Sequence, residues 1–244
     1  MKNCLPYKQW IFLFPRMFSI SAKSFAIAKV AIPAVAVFIN ITAFAQSNGQ
    51  DTDEAYIKVI TERSAKIVNT LSITDAAKYD AVVKMIASQY AGINTIHNET
   101  KKEMDVLKQT SAAGNDTELK KKALEDKKAA ALQTLHYTYI KNLESQLNNE
   151  QIEKVKDGMT YGVFPNTYKA YLDMIPSLSN EEKEKIYDWL KEARELAMDG
   201  ESSDAKHAIF GKYKGRINNY LSGRGYDLTK ERQGWEQRLK SKGK

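Results

Sequence analysis

Only one cysteine, Cys4, occurs in the 244 residues, and it lies ahead of the N-terminal apolar run rather than at its end. No intrachain disulfide is therefore available, and no lipid anchor at a cleavage-site cysteine. Histidine is nearly as scarce: His97, His136 and His207 are the three, and none forms a His-x-x-x-His or His-Glu-x-x-His pair. A dedicated zinc or iron centre is not expected, and the sequence assigns no metal ligand, no cofactor and no catalytic residue. A Gly-x-Ser-x-Gly elbow is also missing, which removes the commonest hydrolase signature. Carboxylates are plentiful, but a glycosidase pair is defined by its separation in space, which a sequence does not reveal.

The apolar run from Val30 to Phe44 is shorter than the roughly 20 residues that cross a bilayer, and nothing after Gln46 could stop transfer. Five basic residues (Lys2, Lys8, Arg16, Lys23, Lys29) and no acidic ones precede it, and it closes on Ala43-Phe44-Ala45. This is the pattern of a secretory signal peptide, residues 1–45, cleaved after Ala45. Initiation at Met1 or at Met17 leaves the same apolar core and cleavage site. The expected mature protein is periplasmic or secreted, with no membrane span.

The basic balance belongs to the leader. The chain carries 37 basic and 30 acidic residues, and loss of the leader's five leaves 32 against 30. Nucleic acid is accordingly not the expected partner. About 200 residues remain, enough for one domain with a sizeable core held by packing alone.

Beyond a polar stretch at 46–50, expected to be disordered, apolar residues recur at three- and four-residue spacing with no strand-like alternation. The prediction is a single all-α domain over 51–244, with about eight helices near 52–71, 75–112, 116–147, 149–161, 166–174, 180–199, 203–222 and 229–240. Capping boxes are expected at Asp51–Glu54, Asn115–Glu118, Asn148–Gln151 and Ser179–Glu182, with Thr74 and Thr229 as simpler caps. The second and third helices are long, and the turn Ala113-Gly114-Asn115 should fold them into an antiparallel hairpin. That places His97 and His136 on inner seams, with Gly92 opposite His136. Shielding there would disfavour the charged rings, so acid is expected to loosen the hairpin.

The C-terminal half is rich in tyrosine and should form a compact bundle. A buried Tyr needs a partner for its hydroxyl, whereas an exposed one offers a flat apolar face beside a polar tip, the surface a pyranose ring stacks on. Each aromatic is therefore read two ways, as core or as ligand platform. Tyr213, Arg216 and Tyr220 recur at helical spacing, Asn219 borders them, and a helix stop at Gly223, with Gly225 permitting the turn into Tyr226, would let Arg224 and Tyr226 fold back over the same end. These six are the candidate ligand-binding residues. The nearby glycines at 211, 215, 223 and 225 match neither a dinucleotide fingerprint nor a P-loop.

Three segments carry a resemblance to a known family: Met159-Thr-Tyr-Gly-Val-Phe-Pro-Asn-Thr-Tyr-Lys-Ala-Tyr-Leu-Asp-Met-Ile-Pro176, Glu192-Ala-Arg-Glu-Leu-Ala-Met-Asp199, and Lys206-His-Ala-Ile-Phe-Gly-Lys-Tyr-Lys-Gly-Arg-Ile-Asn-Asn-Tyr-Leu221 with Gly225-Tyr-Asp-Leu228 after it. The chain resembles an uncharacterised family of exported bacterial proteins, a domain of unknown function described as sugar-binding, whose members accompany polysaccharide-degrading systems. The resemblance spans the mature chain, is densest over 155–235, and brings no assigned binding residues. It implies a non-enzymatic, saccharide-handling accessory protein with a carbohydrate partner, a plant or microbial polysaccharide fragment. A helical interaction protein, a periplasmic holdase or adaptor with a protein partner, is the alternative, and a glycoside-processing enzyme the third.

Overall fold

The computed structural model of the chain describes residues 47–110 and 114–242, with side chains over 54–110 and 114–241. The leader, its cleavage site after Ala45 and Cys4 lie outside the described residues. Eight helices follow in order: α1 (Ser47–Val68), α2 (Ala76–Thr110), α3 (Asn115–Glu144), α4 (Asn149–Met159), α5 (Val163–Met174), α6 (Asn180–Met198), α7 (Ser203–Gly223) and α8 (Leu228–Lys242), with a single 3-10 turn (Asn69–Leu71) after α1. No strand occurs among the described residues. The chain is all-α, as its periodicity predicts. Because α1 begins at Ser47, the stretch expected to be disordered overlaps its first turn, and the Asp51 side chain of the expected first box is outside the described set.

Two of the capping boxes form. Asn148 accepts from the Gln151 amide at 2.9 Å while the Gln151 side chain reaches back to the Asn148 amide, and Ser179 and Glu182 do the same for α6. The other expected caps with described side chains are displaced by neighbours. Gly114, not Asn115, is the N-cap of α3, and its carbonyl takes the first backbone bonds, so Glu118 pairs with Lys121 instead of closing a box. Asp75 rather than Thr74 accepts from the Lys78 amide, and Asp227 rather than Thr229 accepts from the first amides of α8. In both places a carboxylate one or two residues away serves the positive end of the helix better than a threonine hydroxyl.

The apolar stripes sort into two cores. Val82, Ile86 and Tyr90 of α2 meet Leu143 of α3, Val155 and Met159 of α4, and the inner face of α1. Phe164 and Tyr171 of α5 meet Leu190 of α6 and Phe210, Ile217 and Leu221 of α7. The hairpin of α2 against α3 forms as expected, with one change of partner. A Cβ on Gly92 would meet Leu135 at 2.9 Å, so this glycine accommodates a leucine, not the His136 ring. The turn residues 111–113 lie outside the described set.

Candidate functional site

α7 turns the expected face toward α6. Tyr213 and Tyr220 are half-buried against the second core, and Arg216 remains exposed between them. Sequence spacing did not reveal what they face. Trp189 of α6 receives the Arg216 guanidinium over its ring at 4.4 Å, the Lys185 ammonium at 5.3 Å, and the Tyr220 ring edge-on at 5.3 Å and 86°. Tyr213 bonds to Glu192, and burial together with that carboxylate pushes its hydroxyl up to about 12. Arg216 also lies 3.9 Å from Glu192. Lys185, Trp189 and Glu192 stand at four- and three-residue intervals, so the same helical spacing that selects the α7 face would have selected this one.

Of the remaining expected residues, Asn219 is exposed with no hydrogen-bond partner among the described residues. Arg224 and Tyr226 do reach the same end of the helix pair, but they are committed there to a structural clasp. Arg224 Nε donates to Glu182 Oε1 at 3.1 Å and the Tyr226 hydroxyl to Oε2 at 2.8 Å. Glu182 is 3 % exposed. The Ser179 amide, against the cost of burial, and then Tyr226 and Arg224 hold its carboxyl down to about 2. The stop that brings these groups back is Gly225, not Gly223. Gly223 is the last residue of α7, and Gly225 at φ 95° takes the left-handed position of a Schellman motif, with the Tyr226 amide bonded to the Leu221 carbonyl at 3.1 Å.

A second polar cluster joins the two cores and is invisible in the sequence. Arg194 of α6 is fully buried, donating to Asp157 at 2.6 Å and to Glu153 at 2.5 Å on α4, with Glu195 at 3.3 Å and the Phe164 ring under the guanidinium at 4.9 Å. Its Nε has no hydrogen-bond partner among the described residues. Lys156 closes on Glu195 at 2.9 Å. From the hairpin, His136 Nδ1 meets Asp199 at 3.1 Å and Nε2 meets Glu195 at 3.5 Å, while His97 approaches the Asp199 carbonyl and Glu201. Burial alone would lower the pKa of His136, but its hydrogen bonds to Asp199 and Glu195 outweigh that and hold it near 9. Burial likewise opposes the charge on Glu195, and His136 with Lys156 brings its carboxyl down to about 2. The expectation of shielded histidines that resist protonation is corrected for His136: the rings are enclosed, but by carboxylates.

The described residues contain no group of three or more His, Cys, Asp or Glu arranged to hold a metal ion, and no helix long and apolar enough to cross a membrane. The profile of a protein family described as a protein of unknown function, DUF3826, matches residues 57–241, from the middle of α1 to the end of α8. No curated protein matches the chain significantly.

Proposed function

The chain belongs to the DUF3826 family, and we propose that it is an exported, non-enzymatic saccharide-binding accessory protein of a polysaccharide-degrading system. The observation that carries this reading is the α6–α7 face, where Trp189 is held by Tyr220 and Arg216 and Tyr213 by Glu192, yet each aromatic residue is only partly buried. Rings held in advance lose little entropy when a ligand lands on them. Asn219 and Lys185 stand beside them with hydrogen-bonding capacity to spare. The carboxylates that gather between α4 and α6 are held by Arg194, Lys156 and His136, which favours a structural role for them over acid–base work. A glycan array probed with residues 46–244 tests the binding. Export is tested by mass spectrometry of the periplasmic fraction, where the first residue should be Gln46. An intact leader on a cytosolic protein would refute it.

One observation favours the second reading, a protein-binding adaptor. A groove of about 360 Å³ runs between α1 and α2 over Ile57, Ile60, Val83, Ala87 and Ala91, with Thr61, Asp80 and Lys84 at its rim. Its walls suit the apolar face of a partner helix. Widening Ala87 to Trp would block such a partner and leave saccharide binding untouched, which separates the two readings.

A further inference from the structure

Two helices end in the same hydrogen-bond pattern with different residues at its crux. After α7 the left-handed position is filled by Gly225. After α4 the Tyr161 amide bonds to the Gly158 carbonyl at 3.3 Å and the Gly162 amide to the Asp157 carbonyl at 2.8 Å, which makes Tyr161, at φ 58°, the residue in the left-handed position. Glycine usually fills that place because a Cβ crowds the following carbonyl. The tyrosine ring is not buried in exchange, being 44 % exposed. It stacks on the exposed ring of His207, with centroids 5.9 Å apart and planes at 13°. Packing does not explain a bulky side chain that strains the backbone and leaves its ring in water, whereas contact with a ligand would.

Positive charge lies beside this ledge without a carboxylate in ion-pair contact among the described residues, although Asp199 acts on Lys206 from a longer range. Lys206, adjacent to His207, is buried, with its Nζ donating to the Met159 carbonyl at 3.0 Å and standing 5.3 Å from the centre of the Tyr90 ring. Exposed Arg63 of α1 approaches the same ring at 5.6 Å. Neither cation has an ion-pair partner among the described residues. Tyr161 and Tyr90 are near enough to interact electrostatically. Burial, then the charge of Arg63, brings the Lys206 ammonium down to about 8 against the opposing pull of Asp199.

We propose that Tyr161, His207, Arg63 and Lys206 form a binding site for an anionic sugar unit, a pyranose that bears a carboxylate. The C–H side of the sugar ring lies on Tyr161, and the field of Arg63 and Lys206 draws the carboxylate. The ligand class rests on the saccharide reading above, but the position does not. His207 and Arg216 are nine residues apart on one helix, about half a turn of rotation, so this ledge and the Trp189 face lie on opposite sides of α7.

Titration calorimetry of the purified protein with the trisaccharides of galacturonate and glucuronate, and with those of galactose and glucose, tests it. One acidic trisaccharide should bind more tightly than its neutral counterpart. Its affinity should fall about tenfold or more in Tyr161→Gly, which removes the stacking face, and in Arg63→Gln, which removes a charge. Tyr161→Gly should melt no lower than wild type, because glycine suits the left-handed backbone. Wild-type affinity in a folded Tyr161→Gly variant would overturn the site, and so would binding of neither acidic trisaccharide. Neutral-sugar binding that disappears only in Trp189→Ala would remove this ledge and leave the proposed function standing.

Discussion

His136 Nδ1, on the hairpin, lies 3.1 Å from the Asp199 carboxylate at the end of α6. The contact ties the two cores together through charge, and its pH dependence follows from the direction of the shift. A histidine raised to about 9 contributes stability that is complete below its unfolded value of about 6.5 and is lost as pH rises through the folded value. Base, not acid, should loosen this junction. Replacing His136 by Gln should cost about 2 kcal/mol near pH 6, with the full displacement discounted for solvent screening. The same substitution should cost almost nothing near pH 10, where the wild-type ring is neutral too. Urea denaturation at the two pH values checks this, and an equal cost at both would refute it.

Arg194 is the buried cation on which Glu153, Asp157 and Glu195 converge. Arg194→Met removes the charge and leaves Glu153, Asp157 and Glu195 facing one another with Lys156 and His136 alone to balance them, so a loss of about 3–5 kcal/mol is expected in urea denaturation. Arg194→Lys should recover little of it, because one ammonium does not span Asp157 and Glu153 as the planar fork does.

Glu182 closes the α6 capping box and receives Arg224 and Tyr226 from the turn after α7. Tyr226→Phe should cost about 1.5 kcal/mol, the lower end for one hydrogen bond to a charged acceptor, without moving the aromatic ring. Glu182→Ala should cost about 2–3 kcal/mol, since it loses the cap and strands both donors. The depressed carboxyl sets the sign with pH: its contribution is present above the unfolded value of about 4.3 and is lost as pH falls through about 2. Thermal melts of the two variants near pH 6 and near pH 3 measure both effects.

What the sequence disclosed follows the range of the forces involved. The Asn148–Gln151 and Ser179–Glu182 boxes are four-residue chemistry and were legible as such. Thr74 and Asn115 were misjudged because a neighbour, Asp75 or Gly114, competed for the same amides, and the choice between them is geometric. Gly225 replaces Gly223 for a similar reason: the stop is set by bonds back to Leu221 and Ser222. Helical spacing alone placed Tyr213, Arg216 and Tyr220 on one face. It could not show that Trp189 lies against them, nor that His136 finds Asp199 at a separation of 63 residues and His97 finds the same residue at 102. Those carboxylate partners reverse the charge preference that burial alone gives His136.

The most direct test of saccharide binding on the α6–α7 face is titration calorimetry of a Tyr213→Ala, Tyr220→Ala double variant against the glycan selected by the array. Both rings are half-buried, so the variant should fold with a stability loss below the ~3–5 kcal/mol of a fully buried aromatic deletion. This folded variant should no longer bind the glycan. A folded double variant that binds it with wild-type affinity would rule out saccharide binding on this face.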